Sequence, residues 1–593
     1  MTKAQTSTRF QTLAATAALL ALAAFAGCAG EKESFFVRRS QPLPPQVRQI
    51  LRDAVLSQPV PASLKNPQGA AGSWRSLQGF YGQRDYLPVW STSNGPSRQA
   101  MALIAAIPAL AADGVDVSRY PVERLAILAR EVKETKSFED PDAQRRLSDL
   151  DVELTYTYLS LAEDLATGSL QPEKLPIEWY YKKRDAGIES TLTQALGAKT
   201  PGGMAKTLRA LAPPHPGYQR LTQALAAYRG IAARGGWGEV PAGPPLKLGD
   251  KGPRVAALRA RLIASGDLSA PPPAPGSPVP DSYDEAVAAA VSHFQGRHGL
   301  EPVGKVGDDT LAELNVPVAA RIRQIEVNLE RWRWMPASLG DRYIQVNVPD
   351  FRLDVVEDGQ VPLTMRVIVG KPKSHTPNFT GRMSYVELNP NWNLPDDIAA
   401  NEIAPKLAAD PGYLARQNME LVRGWGNKEE VADPEAIDVS KLGKGSPYRI
   451  RQRPGADNSL GQVKFMFPNP FDVYLHGTPS QHLFARTVRS FSHGCVRLEK
   501  PQDLAAFLLR ENPKWTPEAI QEAIDSGEHQ AIPLPRPLPV YILYWTAWVD
   551  PDGTVQLRRD LYGHDATIAQ ALAHEPPVWI ERKALREQVM AAK

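Results

Sequence analysis

A single cysteine with a histidine nineteen residues before it constrains this chain more than any other feature. Cys495 is one of only two cysteines in 593 residues, and it stands in the sequence Ser492-His493-Gly494-Cys495-Val496-Arg497-Leu498. His476 opens the segment His476-Gly477-Thr478 and follows the apolar run Val473-Tyr474-Leu475. Catalysis by a thiol needs a proton carrier within hydrogen-bond reach of the sulfur. The pattern predicts a short buried strand that ends at His476 and a turn that lifts Cys495 out of the strand that follows it.

The residues around Cys495 and His476, taken together, favour a reactive cysteine over an inert one. A lone cysteine in a globular chain is usually a small buried hydrophobic residue. The pattern H-G-T…S-H-G-C-x-R resembles the signature of L,D-transpeptidases, the YkuD-type catalytic domain. The resemblance implies that Cys495 is the nucleophile, His476 the general base and the backbone carbonyl of Gly477 the third member of the triad. It also implies an oxyanion hole formed by the backbone amides of His493, Gly494 and Cys495.

Three further residues complete the predicted oxyanion and substrate set. Ser492 flanks the turn that carries Cys495. Many family members carry asparagine where this chain has Arg497, and the larger periplasmic branch, often called YcbB-like, carries arginine there. Trp392 lies in the stretch 389–395, N-P-N-W-N-L-P, which resembles the N-P-x-W-x-V-P segment near the active site of that branch.

The position of Arg497 predicts a role in binding a carboxylate. It lies two residues after Cys495, so on a strand the two side chains face the same side. A guanidinium binds a carboxylate through two parallel hydrogen bonds, and its charge also favours a thiolate. The alternative is that Arg497 pairs with Glu499 and only steadies the turn.

The first thirty residues predict export. Lys3 and Arg9 precede an unbroken run of apolar residues and Thr from Leu13 to Ala26. That run is shorter than the roughly 20 residues of a membrane-spanning helix and suits the apolar core of a signal peptide. Ala26-Gly27-Cys28 resembles a bacterial lipobox, which implies that Cys28 is lipidated. Phe25 stands where leucine is preferred, so ordinary cleavage near Ala29 or Gly30 remains an alternative.

Export and cysteine usage together favour a reactive thiol. If Cys28 carries a lipid, Cys495 has no disulfide partner, which is unusual for an exported protein and suggests a reactive group. We therefore expect a periplasmic protein that is lipid-anchored to a bacterial membrane. The net charge of only +3 gives no reason to expect nucleic acid as a partner. No metal or organic cofactor is implied.

Length and periodicity predict an α+β multidomain chain. A chain of 593 residues holds about three or four domains, and 43% of its residues are hydrophobic. Helical periodicity predicts a helical domain, which resembles the scaffold of the YcbB-like branch and whose aromatic residues are expected in its core. Residues 246–315 resemble a three-helix peptidoglycan-binding module; the alternative is a helical spacer without binding. The predicted helices cover 98–112, 121–135, 145–167 and 217–233.

Strand patterns begin at Tyr343 and predict a mostly β catalytic domain. Residues 397–445 do not resemble strands, and an insertion at this place caps the catalytic groove in the YcbB-like branch. We interpret it as a lid; the alternative is a structural insertion that does not control access to the groove.

The full predicted order is signal peptide 1–28, tether 29–70 with a short helix at 47–56, scaffold 71–240, module 246–315, catalytic domain 316–565 with lid 397–445, and C-terminal tail 566–593.

The resemblance implies an L,D-transpeptidase that joins diaminopimelate residues of peptidoglycan stem peptides, with carbapenems as inhibitors that acylate Cys495. A hydrolase on the same scaffold is an alternative, because water as well as an amine can release an acyl-enzyme. Papain-like and NlpC-type peptidases place the cysteine before the histidine, and His493 with Cys495 is too little for a zinc site. A non-catalytic wall-anchoring lipoprotein would leave the cysteine signature without a purpose. The sequence leaves the natural acceptor, the membrane and the oligomeric state open.

Overall fold

The computed structural model describes residues 42–56, 70–182, 184–200, 202–269 and 280–573. The predicted signal peptide with Cys28 and most of the predicted tether lie outside these ranges. Within them, no helix combines the length and the apolar character that a membrane crossing requires.

The N-terminal half is a helical bundle built around one long helix. Helix α5 is buried on nearly all sides, because the other helices surround it. Gly114 and Gly168, both with positive φ, directly follow the 3₁₀ helix Pro108–Asp113 and helix α5, respectively. The elements are α1 Pro45–Leu56, α2 Ala70–Gln83, β1 Ser91–Thr92, β2 Gly95–Pro96, α3 Arg98–Ala106, α4 Val122–Glu134, α5 Pro141–Thr167, β3 Trp179–Tyr180, α6 Ile188–Leu196, α7 Gly203–Arg209 and α8 Pro216–Ala233.

Helix α1 corrects the prediction of a tether. Val47, Leu51 and Val55 are at most 1% exposed and join the core of the bundle. The Gln78 side chain donates a hydrogen bond to the Val55 carbonyl at 3.0 Å. Residues 45–56 therefore belong to the bundle. The amphipathic spacing gave the helix correctly, but it does not reveal the surface on which a helix docks.

Three short helices form a compact module with its own core: α9 Pro253–Ala264, α10 Glu285–Arg297 and α11 Asp308–Leu314. One face of α9, formed by Val255, Leu258 and Leu262, is buried in this core together with Phe294 of α10. The module contacts the C-terminal domain: the side chain of Arg558, in that domain, donates a hydrogen bond to the carbonyl of Arg297, at the end of α10, at 3.0 Å.

Helix α12, Val318–Arg333, joins the bundle to the C-terminal domain. Leu329 packs with residues of α8, and Trp332 stacks on Trp545 with ring centroids 4.6 Å apart. Arg331 and Arg333 are almost fully buried, and each forms an ion pair. Arg331 pairs with Asp565 at 2.6 Å and Arg333 with Glu330 at 3.0 Å. A buried charge needs such a partner.

The C-terminal domain is a sheet that closes on itself. Neighbouring strands follow the order β12-β13-β15-β6-β5-β4-β16-β7, and β12 also pairs with β7. The inward residues form one apolar core. The strands are β4 Arg342–Asn347, β5 Arg352–Glu357, β6 Gln360–Gly370, β7 Asn378–Leu388, β8 Trp392–Asn393, β9 Met419–Arg423, β10 Glu430–Ala432, β11 Tyr448–Gln452, β12 Val463–Met466, β13 Leu475–His476, β14 Ser490–Ser492, β15 Val496–Leu498, β16 Gln530–Leu543, β17 Ala547–Val549 and β18 Val555–Leu557.

The expectation that residues 397–445 lack strands is wrong. Strands β9 and β10 lie within this range and pair with β11 and β8 in a four-stranded sheet of order β10-β9-β11-β8. Two of the four strands come from outside the predicted insertion, so the pairing was not visible from within it. The sheet and its helices α13 Asp396–Ile398, α14 Ala404–Ala409 and α15 Tyr413–Arg416 share a small apolar core. We call residues 392–452 the inserted lobe.

The chain after residue 500 departs from the prediction in its tail. Strand β16, which precedes that tail, contains four prolines. Helix α18, His564–Leu572, occupies part of the predicted tail and buries Ile568 and Ala571. The other helices here are α16 Pro501–Leu509 and α17 Pro517–Asp525. The α+β multidomain class is confirmed.

Candidate active site

The two signature segments lie on neighbouring strands. Strand β13 pairs in parallel with β15, which places Leu475 beside Val496 and His476 beside Arg497. Cys495 directly precedes β15, is partly exposed and forms no disulfide among the described residues. The prediction of a short buried strand ending at His476, and of a turn that lifts Cys495 out of the strand after it, agrees with this arrangement.

A backbone carbonyl fixes the tautomer of His476. The ring is 4% exposed, and its Nδ1 lies 2.6 Å from the Gly477 carbonyl oxygen. Because a carbonyl only accepts hydrogen bonds, Nδ1 carries the proton and the neutral ring keeps Nε2 as a base. Gly461 packs against this segment with φ +64°, and a Cβ there would lie 2.6 Å from the Thr478 nitrogen. Only glycine allows this close approach.

His476 is neutral in the resting protein. Burial, together with the positive charges of Arg497 and Lys464, lowers the pKa of His476 to about 3, although hydrogen bonds to the Gly477 and Leu460 carbonyls act in the opposite direction. Charged imidazole loses solvation on burial and is repelled by both cations. The ring therefore takes up a proton only when another group stabilises the imidazolium.

The thiol of Cys495 is also neutral at rest. Burial raises its pKa, and this effect exceeds the lowering by the Tyr474 amide and hydroxyl, Lys464 and Arg497. Its Sγ lies 3.6 Å from the Asp472 carbonyl oxygen, to which the thiol donates. The predicted influence of Arg497 has the expected sign, but desolvation is larger.

Tyr474 and Lys464 are parts of the site that the sequence did not reveal. The Tyr474 hydroxyl contacts the sulfur and accepts a hydrogen bond from the Trp392 side chain. Lys464 is the cross-strand partner of His476, and its Nζ lies 4.5 Å from the centroid of the Tyr474 ring. Tyr474 belongs to an apolar run and Lys464 to an alternating strand, so each fits an ordinary strand pattern.

The turn before Cys495 is held internally. The Ser492 hydroxyl donates to the Cys495 carbonyl at 2.5 Å and accepts from the Gly494 amide at 3.1 Å. The Gly494 amide is therefore engaged in this conformation, and its predicted place in the oxyanion hole stays a prediction that requires this bond to open. Gly494 has φ +127°, and its carbonyl accepts from the Thr376 hydroxyl at 2.7 Å. The amides of His493 and Cys495 remain the candidate oxyanion donors.

Arg497 does not pair with Glu499. The Glu499 carboxylate instead receives hydrogen bonds from the Arg366 side chain and amide. The Arg497 Nε is buried and has no hydrogen-bond partner among the described residues. An unpaired buried donor is costly unless a ligand supplies its acceptor.

The inserted lobe touches the candidate site at two points. Trp392 reaches the Tyr474 hydroxyl, and Glu402 Oε1 lies 2.9 Å from His493 Nε2. Glu402 sits in a π-helical turn, Ala399–Ile403, a geometry often found at functional sites. The lobe thus contacts the turn that carries the cysteine.

Family models cover three parts of the chain. Residues 341–525 match the L,D-transpeptidase catalytic domain, YkuD. Residues 75–225 match the scaffold domain, and residues 251–314 match a domain described as "Putative peptidoglycan binding domain".

Individual proteins are similar over part of the chain. A Haemophilus influenzae protein described as "Putative L,D-transpeptidase" is 37% identical over 246 residues, which are 42% of this chain and 49% of that protein. The chain thus spans about half the length of that relative. A solved L,D-transpeptidase from Xylanimonas cellulosilytica is 17% identical, and the match covers 51% of this chain and 100% of that protein's chain. One from Stackebrandtia nassauensis is 13% identical, and the match covers 51% of this chain and 96% of that protein's chain. Their TM-scores of 0.15 and 0.19 are too low to establish a shared overall fold.

Tyr474→Phe should slow alkylation of Cys495. The substitution removes a hydroxyl that stabilises the thiolate, so the thiol pKa rises and the iodoacetamide rate at pH 8 falls by about 3- to 10-fold. We expect the whole pH–rate profile to shift to higher pH. The measurement uses a Cys28→Ser background, in which Cys495 is the sole thiol, with Tyr343→Phe as the control. An unchanged profile would contradict the assigned contact.

Proposed function

We propose that this chain, whose residues 341–525 match the L,D-transpeptidase catalytic domain, cross-links diaminopimelate residues of peptidoglycan stem peptides. The observation that carries the proposal is the parallel pairing of β13 with β15, which brings Cys495 and the carbonyl-oriented His476 to the ends of neighbouring strands. Arg497 and Lys464 act on His476 as positive charges, and the buried Nε of Arg497 has no hydrogen-bond partner within the described part of the chain. Such a site suits an acyl donor that carries a carboxylate near its reactive carbonyl.

The proposed first half-reaction forms a thioester. Cys495 Sγ attacks the carbonyl at the L-centre of diaminopimelate in a donor tetrapeptide, a C–S bond forms, and the thiol proton passes to His476 Nε2. The oxyanion is received by the amides of His493 and Cys495. Collapse of the intermediate breaks the C–N bond to D-alanine, which takes the proton from His476 and leaves as an amine.

The second half-reaction uses the same groups in reverse. The side-chain amine of another diaminopimelate attacks the thioester carbonyl, and His476 accepts a proton from that amine. Collapse breaks the C–S bond, the proton returns to the sulfur, and the cross-link is released. The proton that leaves with D-alanine in the first half-reaction is replaced by the proton taken from the acceptor amine in the second, so Cys495 and His476 end the cycle as they began it.

Substrate charge would tune the base. Arg497 and Lys464 both lower the pKa of His476. A substrate carboxylate bound to Arg497 offsets this positive potential, so the pKa of His476 rises when the donor is present. The Gly477 carbonyl then stabilises the imidazolium through Nδ1. This makes proton acceptance dependent on a correctly bound donor.

Hydrolysis is the competing outcome for the same acyl-enzyme. A carboxypeptidase or an amidase would use Cys495 and His476 identically and differ only in the acceptor. The ratio of muropeptide dimer to hydrolysed monomer distinguishes these activities. The proposal requires dimer as the main product when acceptor is present.

Cys495→Ala and Cys495→Ser should each reduce dimer formation by at least about 10³-fold, the scale of losing a catalytic nucleophile. His476→Ala should cost at least about 10²-fold, the usual contribution of a general base. Chromatography and mass spectrometry of products from disaccharide tetrapeptide measure both. Circular dichroism should show an intact fold, since one sulfur contributes little packing. Dimer formation by Cys495→Ala would exclude the proposed nucleophile.

Arg497→Lys should lower turnover of tetrapeptide while iodoacetamide alkylation of Cys495 stays near the rate of the unmodified protein. Lysine keeps the charge that favours the thiolate but loses the two-point grip on a carboxylate. Arg497→Met should reduce both rates. Glu499→Gln serves as a neighbouring control, because its carboxylate contacts Arg366 instead. A substrate role for Arg497 is untenable if Arg497→Met turns over tetrapeptide normally.

The location remains a proposal that rests on the sequence. We propose a periplasmic protein attached to a bacterial membrane through lipid on Cys28, with the wall bound through the module at 251–314. A clickable palmitate analogue should label the unmodified protein in cells and fail to label Cys28→Ala. Absence of label on both would mean that Cys28 belongs to a signal removed by ordinary cleavage.

A β-lactam of the carbapenem class is the expected covalent inhibitor. Its strained carbonyl can accept the Cys495 sulfur as the stem peptide does, and opening of the lactam C–N bond leaves a thioester on the protein. Ring opening supplies the leaving amine, which stays attached to the adduct.

A further inference from the structure

The helical scaffold contributes a strand to the catalytic sheet. Strand β3 pairs in parallel with β7, placing Trp179 beside Asn378 and Tyr180 beside Phe379. The Asn378 amide donates to the Glu178 carbonyl at 3.0 Å. Parallel addition of this strand joins the two domains through backbone hydrogen bonds as well as side chains.

One side chain of this strand supports the segment beside the sulfur. The Tyr180 ring lies on the Phe471 ring with centroids 4.4 Å apart. Phe471 precedes Asp472, a non-glycine residue at φ +53°, whose carbonyl lies 3.6 Å from Cys495 Sγ. A non-glycine residue in the left-handed region is strained and needs its surroundings to hold it. The aromatic contact is one such restraint.

A second side chain of the same segment reaches the opposite part of the site. Glu178 Oε2 lies 3.5 Å from His375 Nδ1, and the His375 ring stacks on Tyr562 at 4.1 Å. The next residue, Thr376, holds the Gly494 carbonyl at 2.7 Å. The segment at 178–180 therefore contacts the supports of both the Asp472 carbonyl and the Gly494 turn.

These contacts contribute little to burial. Tyr180 is 43% exposed and the Glu178 side chain 47% exposed, whereas their neighbour Trp179 is 4% exposed and anchors the interface. Loss of either side chain leaves the apolar anchor in place. The contacts of Tyr180 with Phe471 and of Glu178 with His375 therefore restrain the site more than they stabilise the interface between the domains.

We propose that the scaffold residue Tyr180 is a positioning residue of the active site, acting through Phe471 to hold the Asp472 carbonyl against the Cys495 thiol, with Glu178 restraining the Gly494 turn through His375. The scaffold then regulates the geometry of a nucleophile on another domain. The effect on turnover rests on the function proposed above, but the effect on the thiol does not.

Tyr180→Ala should change the thiol itself. A carbonyl that accepts from S–H stabilises the neutral thiol, so displacing the Asp472 carbonyl should move the iodoacetamide pH–rate profile of Cys495 to lower pH. With tetrapeptide, kcat should fall about 10-fold while KM stays within about twofold, because misplacement affects the reacting atoms more than binding. Tyr180→Phe keeps the ring and should restore both readouts.

Two matched variants complete the experiment, all in full-length protein with Cys28→Ser. Tyr181→Phe removes a hydrogen bond of the same segment to the Ile542 carbonyl and should alter neither profile nor kcat. Glu178→Gln should lower kcat by a smaller factor without moving the alkylation profile.

The outcomes separate this inference from the proposed function. If Tyr180→Ala shifts the profile but no variant shows turnover, the positioning inference stands and the proposed function fails. If the unmodified protein turns over tetrapeptide and Tyr180→Ala matches it in kcat and alkylation profile, the positioning inference fails and the function stands. A lower melting temperature as the sole change would likewise overturn the inference.

Discussion

The parallel pairing of β13 with β15 is the constraint on which the rest of the site depends. It places the histidine beside Arg497 and brings Cys495 to the end of the neighbouring strand. A parallel pair needs a long connection, and here residues 477–495 supply both the Gly477 carbonyl and the Ser492 turn. Gly461 maintains the close packing under this connection. One register therefore sets the positions of Cys495, His476 and the Gly477 carbonyl together.

Burial then determines the protonation of the pair. It raises the pKa of Cys495 and lowers that of His476, so the resting site holds two neutral groups rather than an ion pair. Two cations remain beside it, and the Arg497 Nε has no partner among the described residues. In the proposed reaction, the carboxylate of the donor pairs with the Arg497 guanidinium, which lacks an acceptor. Its negative charge also favours protonation of the His476 imidazole.

The sequence predicted the neighbouring placement of the two signature segments better than the architecture around them. Cys495, His476 and Gly477 stand in a dense local motif, so their proximity was predictable. Tyr474 and Lys464 were missed, because each matches an ordinary strand pattern and only the fold brings them to the sulfur. The strands of the inserted lobe were missed because their partners lie outside it, and helix α1 was assigned to a tether because amphipathicity does not identify a docking surface. Contacts between domains, such as Tyr180 with Phe471, leave no local signal.

Formation of an acyl-enzyme on Cys495 can be followed through the intact mass of the protein during its reaction with disaccharide tetrapeptide. We expect a transient adduct on Cys495 equal to the donor without its terminal D-alanine. Added acceptor should discharge that adduct into muropeptide dimer. Conversion of tetrapeptide with no adduct on Cys495, or an adduct that only water discharges when acceptor is abundant, would contradict the proposed reaction.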